Sequence, residues 1–167
     1  MDQQTTVLAQ ALKGRMDFEA ELFRQLGLEM DRLRDSFQQK KWTSCLVIAQ
    51  GIQASAQKIE RADDARDEAF AALCGGLGFS TETAFSALLT RMPEEHRGLL
   101  EESWRNLRMA VVRLSTASNR MRYSAEALAG TLGRILEEIF PHRKGKIYSR
   151  RGRTTSVNDS LLVDRRL

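Results

Sequence analysis

Apolar residues recur at alternating steps of four and three from Leu100 to Ile139. The positions are Leu100, Trp104, Leu107, Val111, Leu114, Ser118, Met121, Ala125, Leu128, Leu132, Ile135 and Ile139, and only Ser118 is polar. A 3.5-residue repeat keeps one stripe on one helix face, so the spacing predicts a single helix over 93–140. Pro93 opens it, because a missing N–H costs nothing in a first turn, and Glu94 and Glu95 suit the positive end of the dipole. Pro141 closes it by disfavouring helical backbone at the residue before it. At 1.5 Å per residue such a helix is a rod of about 70 Å. Beside the stripe lie Ser103, Ala110, Ala117, Ser124 and Thr131, small side chains that let a neighbouring backbone come close.

Two more helices follow from the same period. The first, over 5–38, carries Ala9, Leu12, Met16, Glu19, Phe23, Leu26, Met30, Leu33 and Phe37, with Glu19 the one polar intruder. The second, over 42–74, carries Trp42, Cys45, Ala49, Ile52, Ala56 and Ile59, slips through Asp63 and Arg66, and recovers at Phe70 and Leu73. The break at Gln38–Lys41 contains neither Gly nor Pro. The next break is marked by Gly75-Gly76-Leu77-Gly78, a glycine stop. Ser80 then serves as N-cap for a short helix over 81–90. Short connections make sequential helices antiparallel. The expected fold is all-α, an elongated up-down-up bundle of three long helices plus one short one. Trp104, Leu107, Val111 and Leu114 are expected to be buried against the first two helices. An elongated bundle has much surface for its volume, which leaves apolar groove for something else, a homo-oligomer included.

Charge divides the chain at Pro141. Residues 1–140 hold 18 basic and 20 acidic side chains, whereas 141–167 hold eight basic and two acidic. A near-neutral helical domain over 1–140 therefore precedes a basic arm over 141–167, read as mobile or ordered by a partner. Apolar runs such as Cys45–Ala49 are far short of the roughly 20 residues that span a membrane. Met1-Asp2-Gln3-Gln4 shows no secretory signal, and two separated cysteines suit a reduced cytoplasmic setting.

The residues that carry chemistry are sparse. His96 and His142 lack a glutamate three positions earlier, so the Glu-x-x-His pairs of di-iron bundles are missing. Gly75-Gly76-Leu77-Gly78 follows a helix and has no Gly-Lys-Ser/Thr ending, so it reads as a helix stop and not as a phosphate loop. Cys45 reads as a small buried hydrophobe on its seam. The cluster Glu60, Asp63, Asp64, Asp67 and Glu68 is interleaved with Arg61 and Arg66 and reads as a solvated face. No enzyme, metal or cofactor is expected. Arg143 to Arg153 holds six cations and no acid, which could meet phosphates, yet Tyr148 is its one aromatic for base stacking. Nucleic acid is not the expected partner. The alternative is a coiled-coil adaptor or nucleic-acid-associated protein that uses this arm.

Four features resemble the FlgN-type flagellar export chaperones over about residues 5–167. They are Ile59-Glu60-Arg61 continuing through Arg66 to Leu73; Glu102-Ser103-Trp104-Arg105-Asn106-Leu107; Asn119 within Thr116–Tyr123; and Tyr148-Ser-Arg-Arg-Gly152 followed by the terminal Leu-Val-Asp-Arg-Arg. Bundle periodicity cannot generate the tail pattern. Family members often carry a second asparagine three residues after the first, where this chain has Arg122. The resemblance implies a cytoplasmic chaperone of flagellar type III secretion. Such a protein holds hook-associated proteins unassembled and brings them to an export gate component, without a cofactor. It points to Asn119, Tyr148 and Gly152 as partner-binding residues. The tail adds Val157, Leu161, Leu162 and Val163, where Val157 and Leu161 lie one helical turn apart and Asn158 and Asp159 can cap. In this reading the leucines and Val163 hold the client, and Tyr148 with its basic neighbours meets the gate.

Overall fold

In the computed structural model of the chain, the described residues are 3–139, 147–148 and 154–155. Four helices account for nearly all of them: α1 (Gln3–Gln38), α2 (Trp42–Gly76), α3 (Phe85–Thr90) and α4 (Glu94–Ile139). The all-α expectation holds, with three long helices packed together. The chain divides into two compact units, Met1–Ser124 and Ala125–Leu167.

In the first unit, both long breaks end in the same hydrogen-bond pattern. After α2, Phe79 N–H donates to Cys74 O at 2.8 Å and Gly78 N–H to Gly75 O at 3.1 Å, with Gly78 at φ 73°. This paired closure satisfies the last carbonyls of the helix and needs a left-handed residue, which glycine supplies without strain. After α1 the equivalent bonds run from Lys41 to Ser36 and from Lys40 to Phe37, and the left-handed residue is Lys40 at φ 57°. That position departs from the glycine rule, which is why the sequence shows no stop there.

The core gathers Ala9, Leu12, Met16 and Ala20 of α1, Leu73 and Cys74 of α2, Leu88 and Leu89 of α3, Met92, and Leu100, Leu107 and Ala110 of α4. Three contacts set the direction of α4 against α1: Thr6 to His96 at 3.3 Å, Gly27 beneath Leu114, and Asp31 to Arg120 at 3.2 Å. The two helices run parallel, and α2 runs back between them in sequence as the antiparallel partner of α1.

One expectation is corrected. Leu107 is buried and Leu114 half-buried, but Trp104 is only half-buried and Val111 is 43% exposed. The face that α4 turns inward instead carries Ser103, Ala110 and Ala117 beside Leu100 and Leu107. Small side chains let the helix axes approach, and a methyl group built on Gly27 would already lie 3.9 Å from the Leu114 Cα. The closer packing rotates Val111 out of the interface. The seam of α2 is also more open than expected, since Trp42, Ala49 and Ala56 are exposed and Cys45, Ile52 and Ile59 half-buried. Trp42 meets Phe37 edge-on at 5.6 Å.

The short helix begins later than Ser80 suggests. Ser80 Oγ accepts from Glu82 N–H in a turn, and Ala84 precedes the first helical residue. The Arg97 side chain then donates to the carbonyls of Leu89 (2.9 Å), Thr90 (3.3 Å) and Met92 (3.0 Å), tying the end of α3 to the start of α4.

In the second unit, the described residues are the end of α4, where Leu132, Ile135 and Ile139 are exposed, and a two-residue antiparallel ladder. Ile147–Tyr148 (β1) pairs with Thr154–Thr155 (β2), Tyr148 opposite Thr154.

The orientation of α4 gives a paired expectation. Leu107→Ala should cost about 2–5 kcal/mol through lost burial and a cavity. Val111→Ala should stay within about 0.5 kcal/mol of the parent, as exposed substitutions do. Urea unfolding of the two variants checks both values.

Candidate functional site

The intruder of the first helix and the slip in the second meet each other. Glu19 is 1% exposed, and its Oε2 lies 3.2 Å from Arg66 Nη1. Oε1 accepts from the same nitrogen at 3.5 Å, while Oε2 accepts no hydrogen bond. Arg66 also pairs with Asp63 and, at 2.9 Å, with Asp67. Burial pushes the Glu19 carboxyl above the usual glutamate range, with the Arg66 charge opposing it. Burial works against the Arg66 charge, but Asp67, Glu19 and Asp63 outweigh it and hold the guanidinium above its usual value. Arg66 therefore leaves the solvated face that the acidic cluster suggests.

Near this pair, apolar side chains line three hollows. One of about 300 Å³ is lined by Glu19, Phe23, Asp63, Arg66, Trp104, Leu107, Arg108, Val111 and Val112. It shares Trp104, Arg108 and Val112 with a second hollow of about 380 Å³, which Glu101, Arg105 and Met109 complete. It shares Phe23 with a third of about 330 Å³, which includes Gly27, Leu28, Asp31, Arg113, Leu114, Ala117 and Arg120. Met109 is 47% and Val112 57% exposed. Trp104 stands half-buried on the wall of the groove formed by the first two hollows, and Arg113 and Arg120 put the third on the opposite flank of α4.

A smaller space of about 190 Å³ lies among Leu12, Met16, Phe70, Phe85 and Trp104. Its aromatic rings are close, Phe85 to Trp104 at 5.0 Å and Phe70 to Phe85 at 6.3 Å. It falls below the roughly 300 Å³ at which ligand pockets begin. Among the described residues, no three His, Cys, Asp or Glu side chains are placed to hold a metal ion. Cys74 is buried, which pushes its thiol up, and Cys45 is half-buried.

Of the residues singled out from the sequence, the structure describes Asn119 and the backbone of Tyr148. Asn119 is exposed on α4, one turn before Arg122 and Tyr123, whose cation and ring stack at 5.2 Å. Tyr148 is placed by its backbone in β1. Gly152, Val157, Leu161, Leu162 and Val163 lie outside the described residues. The groove was missed because α4 was read with Val111 inward. The signal that could have found it is the small flank at Ser103, Ala110 and Ala117. Comparison with known protein families, curated proteins and solved structures finds no match to this chain.

The ion pair makes stability depend on pH in a definite direction. Because the native state holds the Glu19 proton more tightly than the unfolded chain, this group's contribution falls as pH rises from its unfolded pKa through its higher native one. Arg66→Ala should cost about 3 kcal/mol at pH 7, where it leaves a buried carboxylate without its partner. The loss should shrink on acidification as Glu19 takes up a proton, and adding Glu19→Gln should recover part of it at pH 7. Urea titrations across pH 4–8 read the effect.

Proposed function

We propose that this chain is a cytoplasmic flagellar-type export chaperone, which holds hook-associated proteins as unassembled monomers and delivers them to the export gate. The observation that carries the reading is the groove along α4, where Val111 and Val112 stand exposed beside Phe23 and Trp104. Subunits that polymerise through amphipathic helices would self-associate if those helices were left bare. A helix laid in an apolar groove buries its sticky face, at about 25 cal/mol per Å² before ordering costs. No nucleotide or cofactor is required, and no catalytic role is assigned. No helix among the described residues is long and apolar enough to cross a membrane.

The tail pattern supports the same reading from the sequence. Leu161, Leu162 and Val163 add apolar side chains that a client helix can cover, with Val157 one turn before Leu161. Tyr148, Gly152 and the surrounding cations form a separate element for the gate. Asn119, exposed on α4, belongs to the partner-facing surface.

The test is a binding titration with hook-associated proteins. Leu161→Ala with Leu162→Ala should weaken the complex about tenfold or more, roughly 1.4 kcal/mol. Tyr148→Ala should leave client binding intact and impair export. A basic arm used for nucleic acid would behave otherwise: the double variant would bind normally, and six phosphate contacts would lose about 10³-fold affinity between 50 and 200 mM salt. Failure of any hook-associated protein to bind the full chain would overturn the proposal.

A further inference from the structure

From Trp42 to Gln57, α2 holds no Lys, Arg, Asp, Glu or His, in a chain whose residues are 29% charged. A charge-free run belongs in a core, as at Ala69–Thr81, where Leu73 and Cys74 are fully buried. Yet the buried residues of α2 are Ala62, Leu73 and Cys74, none of them within 42–57. Trp42, Leu46, Ala49, Gln53 and Ala56 share one flank of the helix at steps of four and three. All five are exposed, Trp42 at 51% and Leu46 at 68%. Charge returns at the two ends of this flank with opposite sign. Lys40 and Lys41 stand before it, and Glu60 and Asp64 continue it. Among the described residues, none of these four has an ion-pair partner. At 100° per residue, Lys58 and Arg61 lie off the flank.

We propose that this flank of α2 is a two-fold interface, which pairs antiparallel with α2 of a second copy. Charge selects that occupant. A segment that covers the flank has to be acidic over Lys40 and Lys41, uncharged along its middle, and basic over Glu60 and Asp64. The same helix, run in reverse, has that order. Parallel pairing would set lysine against lysine and carboxylate against carboxylate, which complementary interfaces avoid. Spacing then fixes the register. With Ala49 facing Ala56 of the second copy, Lys41 falls opposite its Asp64, and the two-fold axis repeats both contacts. Gln53 meets the other Gln53 beside that axis, and an amide both donates and accepts, so it can pair with its own kind. The alanines let the two helix axes come close. The chain's own arm, with eight basic and two acidic residues over 141–167, suits the acidic end alone and opposes Lys40 and Lys41. The stretch from Lys41 to Asp64 is about 35 Å of one helix, the small end of specific interfaces, so the dimer is reversible and of micromolar affinity. This interface stands independently of the chaperone reading.

Sedimentation of the full chain over about 1–300 µM should show a monomer–dimer equilibrium. Leu46→Glu places a charge on the flank of each copy and should weaken the dimer at least tenfold. Lys40→Glu with Lys41→Glu should weaken it as well, and so should Glu60→Lys with Asp64→Lys. The chain that carries all four charge reversals should recover the affinity of the parent, because each end again meets its opposite. All of these positions are exposed, and circular dichroism checks that helix content is kept. The register is read by mixing two chains that both carry Cys45→Ser and Cys74→Ala, one with Ala49→Cys and the other with Ala56→Cys. Mild oxidation should cross-link the mixture faster than either chain alone. A monomer at every concentration, as expected if the arm or another protein covers α2, would overturn the proposal. So would a dimer indifferent to Leu46→Glu, or no recovery in the fourfold charge reversal.

Discussion

The close approach of α4 to α1 governs what the first unit can do. Ser103, Ala110 and Ala117 face inward, and Gly27 lies beneath the Leu114 backbone. Helices whose contact side chains are small pack with nearer axes than helices that interlock leucines. What fills the interface then fixes what is left outside it. With the small flank turned in, Val111 is left 43% exposed and Trp104 half-buried on the boundary. The groove is therefore a consequence of core packing.

Beneath the groove, the Glu19–Arg66 pair sets how α1 and α2 align. A buried ion pair is weak evidence for stability, because desolvation offsets much of the attraction. Its value here is geometric. The register that brings Arg66 to Glu19 also brings Ser55 Oγ to Glu29 at 3.0 Å. A slip of one turn would leave a carboxylate buried without its cation, a penalty that two leucines in these places would not impose.

Much of the fold can be read from spacing alone. The three long helices, their order and the glycine stop after α2 follow from period and punctuation, because long heptad patterns and a left-handed glycine leave little freedom. The end of α1 is harder to read, since Lys40 takes a left-handed conformation that sequence rules reserve for glycine. Heptad spacing likewise fixes which stripe of α4 is apolar, but not which flank of the stripe turns inward. That choice depends on the volumes facing it across α1, as at Gly27, so period alone predicts Val111 inward. Glu19 and Arg66 each look like a local fault until the antiparallel register sets them side by side. The groove is hidden from the sequence for the same reason.

The rotation of α4 is the claim on which the groove stands, and thiol labelling measures it directly. In a chain with Cys45→Ser and Cys74→Ala, cysteine is introduced in turn at Ala110 and at Val111, and maleimide labelling rates are compared under native conditions. The account predicts that Val111→Cys labels at nearly the rate of an unfolded thiol, while Ala110→Cys is protected and labels only as the protein opens. Protection at position 111 with free labelling at 110 would turn the helix the other way and remove the groove.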